Sequence, residues 1–118
     1  MSLSKMMGIL AALTLAAVSL AQAAVIHVPG DYSTIQAAIN AASPGDTVQV
    51  AAGIYHETAT SWADLQITKS LALVGAGSGQ TIVELRDTTQ NGVEIRSTTS
   101  DLTVIVNGIT FTKEPAKT

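Results

Sequence analysis

The stretch from Asp46 to Val74, DTVQVAAGIYHETATSWADLQITKSLALV, decides how this chain folds. Val48 and Val50 alternate with polar neighbours, and Leu71 and Leu73 flank a single small residue. That period of two is the mark of a strand with one buried face. Working outward, a similar pair stands before these at Ile26/Val28 and another beyond them at Val93/Ile95. The four pairs return at a near-constant interval of about 22 residues, within the range of solenoid repeats. Ile82 and Val104 keep the same interval, as a second face of the same repeat requires. Such a pattern predicts a solenoid, each circuit holding three short strands that pair in parallel with the circuit before. The expected fold is therefore all-β: a single-stranded right-handed parallel β-helix of about three to four coils.

The strands expected on this basis cover residues 24–28, 47–50, 54–57, 65–68, 71–74, 81–85, 93–96, 102–106 and 109–112, separated by Gly, Ser, Thr, Asn and Asp turns. One segment departs from the pattern. Ile35, Ala38, Ile39 and Ala42 recur at helical spacing, with Ser33 as the N-cap and Gln36 three residues on as in a capping box. Ser43-Pro44-Gly45-Asp46 then ends the helix. A short helix over 34–42, between the first two strands, is expected to cover the N-terminal end of the apolar core.

Residues 1–23 read as an export signal. Lys5 is followed by an uncharged apolar run from Met6 to Leu20 and by Ala21-Gln22-Ala23, a cleavage signature. The run is shorter than the roughly 20 residues that span a bilayer. Cleavage after Ala23 is expected, leaving residues 24–118 as the β-helix domain, periplasmic or extracellular and without a membrane anchor. Without Lys5 that part carries five basic and nine acidic residues. This charge balance repels phosphate backbones and argues against a nucleic-acid partner. The chain has no cysteine, which removes disulfide and zinc-thiolate frameworks.

Residues 31–39 (DYSTIQAAI), 44–48 (PGDTV), 53–57 (GIYHE), 67–77 (ITKSLALVGAG) and 81–83 (TIV) together resemble the N-terminal portion of the pectin lyase-like β-helix superfamily. The pattern is closest to the opening of pectin methylesterases and of related periplasmic β-helix repeat proteins. Residues 106–111 (VNGITF) look like one further coil of the same type. The resemblance implies that these positions build the cap and first coils. In pectin methylesterases the catalytic aspartates, glutamine and arginine lie on later coils, so no catalytic residue is carried over.

Candidate chemistry is sparse. Glu84/Arg86 and Glu94/Arg96 fall on outward positions, because Val83, Leu85, Val93 and Ile95 take the inward ones. Arg86 and Arg96 could bind uronate sugars, and Trp62 and Tyr55 could stack on sugar rings. The simpler reading makes the charges a solvated face, packs Tyr55 inward and lays Trp62 over a loop. Asp87 and Asp101 sit in turn-like stretches where nothing fixes their separation for acid-base work. His27 and His56 are expected to point outward, without a second ligand at metal spacing. The segment 75–80 (GAGSGQ) lacks the third glycine and following helix of a dinucleotide site. No cofactor or metal is expected.

Two functions follow. The first is an exported module, without a complete active site, that binds polysaccharide or a cell-surface partner. The alternative is the N-terminal part of a pectin methylesterase-like or polysaccharide lyase-like enzyme whose catalytic residues lie beyond residue 118. No capping helix is legible near the C-terminus, so self-association through an open edge of the last coil is also expected.

Overall fold

A computed structural model describes residues 22–57, 63–86, 91–97 and 101–113. Among them are nine strands and one helix: β1 (Val25–Val28), α1 (Ile35–Ala41), β2 (Thr47–Val50), β3 (Gly53–Glu57), β4 (Ala63–Ile67), β5 (Leu71–Val74), β6 (Thr81–Leu85), β7 (Asn91–Ile95), β8 (Val104–Asn107) and β9 (Thr110–Lys113). Each expected strand is present, with ends that differ only by the small margin usual for strand boundaries. The architecture is mostly β, built of parallel sheets with one short helix.

The strands form three sheets, in the orders β1-β2-β5-β8, β3-β6-β9 and β4-β7, and all their pairings are parallel. From β2 onward the chain visits the first, second and third sheets in turn and then starts again. Alternate residues of all three sheets meet in one core: Val28, Val48, Val50, Leu71 and Leu73 from the first, Val83 from the second, Leu65 and Ile67 from the third. Burying each of these side chains stabilises the fold by about 1.5–3 kcal/mol.

The expected constant interval holds only for the first step. Ile26 pairs with Val48 and Val28 is level with Val50. After that Val48 pairs with Leu73 rather than standing over Leu71, and Leu71 pairs with Val104, so the circuit lengthens at each step along this sheet. Val93 and Ile95 belong to the third sheet, opposite Leu65 and Ile67. Ile82 pairs with Ile54 and Thr110, not with the column that contains Val104. The second and third sheets share a longer step of their own, from Gly53 to Thr81 in one and from Ala63 to Asn91 in the other. The joining segments differ in length, so equal sequence spacing links positions on different sheets. Alternation identifies a strand, but spacing alone does not identify its sheet.

The helix starts one residue later than expected. Thr34, not Ser33, is the N-cap: its backbone is extended and its Oγ1 accepts the Ala37 N–H at 3.1 Å. Replacing Thr34 by Ala is expected to cost about 1 kcal/mol. Ser33→Ala should stay within about 0.5 kcal/mol, and urea melts of the two variants check this order. At the other end Lys69 Nζ donates to the carbonyls of Asn40 and Ala42 at 3.1 and 2.7 Å, where a cation suits the helix dipole. Ile35, Ala38 and Ile39 turn into the core, and the helix packs against β1, β2, β3 and β4.

Gln36 does something the capping-box reading missed. Its Nε2 donates to the Gln66 carbonyl at 2.9 Å and its Oε1 accepts the Gln66 N–H at 2.7 Å. Among the described residues β4 has a strand neighbour on one side only, and this side-chain amide bonds to its other edge as a short piece of backbone would.

Candidate functional site

Among the described residues three carboxylates are buried, and each accepts at least one backbone N–H. Glu57 takes an inward position on β3 and its Oε1 accepts the Ile35 N–H at 2.7 Å. Burial raises its carboxyl above the ordinary range, opposed by the N–H groups of Ile35 and Gln36. Asp64 Oδ2 accepts the Arg86 N–H at 2.9 Å. Asp46 accepts from Ala24 through Oδ1 and from Ser43 through Oδ2. Carboxylates held in this way join segments of the fold.

The outward faces carry the remaining polar chemistry. On the second sheet one row runs Ile54, Ile82, Thr110 and the next runs His56, Glu84, Thr112. His56 Nδ1 lies 3.2 Å from Glu84 Oε2, and His56 is well exposed. On the third sheet Gln66 Nε2 donates to Glu94 Oε1 at 3.2 Å, and Arg96 Nε lies 3.5 Å from the same oxygen. The Arg96 side chain is 65% exposed, so its head group is available to a ligand at modest cost, since an exposed ion pair contributes about 0–1 kcal/mol.

Of the four expected sugar contacts, Arg86 and Arg96 are exposed; Arg86 directly follows β6 and Arg96 directly follows β7. Tyr55 stands opposite Val83 on the inward side, packs against the core and donates its hydroxyl hydrogen to the Ala51 carbonyl at 2.9 Å. Trp62 and Asp87 lie outside the described residues, as do residues 1–21 of the expected export signal. Asp101 and His27 are exposed. The turn at 75–80 bonds to the neighbouring turn through Gly77 N–H to Gly108 O at 3.0 Å, which gives its glycines a packing role.

Among the described residues no group of three or more His, Cys, Asp or Glu side chains could hold a metal ion. Among the same residues no helix is long and apolar enough to cross a membrane. The buried Gln36, Asp46, Glu57 and Asp64 were not legible as a set. Glu57 alone gave a signal, because strand alternation places it inward with Tyr55. No protein-family model, curated protein or solved structure matches the chain.

Proposed function

We propose that this chain is an exported module of right-handed parallel β-helix type, processed after Ala23, whose outward faces bind an acidic polysaccharide or a similar surface polymer. The observation that carries the reading is the repeated passage through three parallel sheets, with successive rungs stacked in register. Such stacking makes a rigid, elongated platform on which side chains repeat at about 4.8 Å. A polymer of repeating charged units fits a face of this kind better than a small molecule does. Because a net charge of -3 opposes polyanions as a whole, recognition would rest on the local cationic contacts of the exposed Arg86 and Arg96. Electrostatic recognition of this sort is local and weakens with salt.

The test is retention of the processed chain on de-esterified pectin and on neutral glucan. Retention on the acidic polymer alone is expected, with affinity falling about tenfold, or about 1.4 kcal/mol, in Arg96→Ala. No methanol should be released from methylated pectin. Equal retention on both polymers, or none on either, would overturn the reading.

A second reading is favoured by one observation. Ile95 and Val106, on inward positions of the last rung, are 50% and 40% exposed. Further coils of a carbohydrate-active enzyme would cover them, as would a second copy joined edge to edge. Sequence beyond Thr118 bearing an aspartate pair and an arginine on such coils would favour the enzyme. A concentration-dependent dimer in sedimentation would favour the self-association.

A further inference from the structure

The N–H of Ala24 donates to Asp46 Oδ1 at 2.8 Å, while the other carboxylate oxygen accepts the Ser43 N–H at 2.9 Å. Ala24 is also fixed from its carbonyl, which accepts the Thr47 N–H at 2.9 Å. Residue 24 is thus held at the start of the first sheet through both of its backbone groups, although like Gln22 and Ala23 it is exposed and precedes β1. The acceptor is a carboxylate, only 6% exposed and anchored in the turn that leads from α1 to β2. Peptide N–H groups also hold the Glu57 and Asp64 carboxylates, but the Ala24 nitrogen differs from those donors in standing at the expected cleavage point. Freed as an ammonium, it would give the Asp46 carboxylate a charged partner.

We infer that Asp46 is a receptor for the new N-terminus: hydrolysis of the Ala23–Ala24 bond turns the Ala24 nitrogen into an α-ammonium that forms an ion pair with Asp46, so that processing locks the first rung. In the cleavage, catalysed by a signal peptidase, water supplies the hydroxyl to the Ala23 carbonyl and a hydrogen to the Ala24 nitrogen. The resulting amine takes one more proton from solvent. The inference rests on the export reading given above.

The charges around this carboxylate agree. The Ala24 and Ser43 N–H groups hold Asp46 below the ordinary carboxylate value, against the effect of burial, and Lys69 lowers it further. A depressed acid contributes stability above its unfolded pKa, and this is lost as pH falls through the folded one. An amine raised by its partner contributes stability below its unfolded value of about 8, and this is lost as pH rises through the folded one. The locked state is therefore most stable between about pH 4 and 8.

The full chain is exported from a bacterial host in two forms, native and with Gly-Ser inserted after Ala23, each with Asp46 or with Asp46→Asn. Intact mass reads the first residue, and thermal melting at pH 6.5 reads the lock. The product starting at Ala24 is expected to melt about 4 °C or more above the Gly-Ser product, with no such difference in the Asp46→Asn pair. The α-amine should titrate above its usual range of about 7.7–8.0 by NMR in the native product, a readout that holds even if Asp46→Asn does not fold. Equal melting of the two Asp46 products, or an ordinary amine pKa, overturns the docking while leaving export intact. A mass that retains residues 1–23 overturns the export reading and the inference with it.

Discussion

Gly75→Ala is expected to abolish cooperative folding or to cost about 3 kcal/mol or more. A Cβ at this position would collide with the backbone oxygen of Gly108 and would lie 2.7 Å from Ile109 Cγ1 and 2.8 Å from Thr81 Cβ. None of these can step aside cheaply. The Gly108 carbonyl accepts the Gly77 N–H of the facing turn, and Thr81 is fully buried with its hydroxyl bonded to the Val50 and Ala51 carbonyls. Separating the turns would break the Gly75 N–H bond to Asn107 as well. Gly79 provides the control. Its φ of +78° disfavours a side chain, but an added Cβ there meets nothing within 4 Å, so Gly79→Ala should cost only about 1 kcal/mol. Urea melts of the two variants decide the point, and equal costs would mean that the Gly75–Gly108 contact is not tight.

Gln36→Ala comes next, with an expected loss of about 2–4 kcal/mol. The substitution leaves both the N–H and the carbonyl of Gln66 without partners on the outer edge of β4, and each buried orphan costs about 1–3 kcal/mol. Water that reaches the edge would lower this cost and would leave a different trace. Hydrogen exchange at the Gln66 amide should speed up by more than about tenfold while the amides of β2 keep their protection. Gln36→Glu is a sharper probe, because it keeps the acceptor for the Gln66 N–H and loses the donor to its carbonyl. Its cost should fall between those of wild type and Gln36→Ala at about pH 4, near the ordinary glutamate value, and rise as the new carboxyl ionises.

The strands were legible because alternation is local. Val48/Val50 and Leu71/Leu73 show it within single strands, and the burial of Val83 follows from the same rule. The capping-box pattern pointed to Ser33, but the adjacent Thr34 carries a hydroxyl too, and residue type cannot choose between the two. The sheet assignment failed at Val93 for a different reason: a strand's partner depends on the length of each joining segment, and that length is not constant here. The buried polar side chains were least legible. Gln36 meets Gln66 and Asp46 meets Ala24 only after a full circuit of the chain, so neither pairing leaves a motif. Arg86 and Arg96 are exposed, but each stands just after its strand, where alternation no longer fixes the direction of a side chain.

The unequal steps along the first sheet, from Val28 to Val50, from Val48 to Leu73 and from Leu71 to Val104, have an evolutionary consequence. Because each strand finds its neighbour by backbone pairing and a shared apolar column, the chain can gain or lose residues at a bend without shifting the rungs on either side. Bends are then the places where such a protein can try new lengths and new surface chemistry while the ladder beneath stays unchanged.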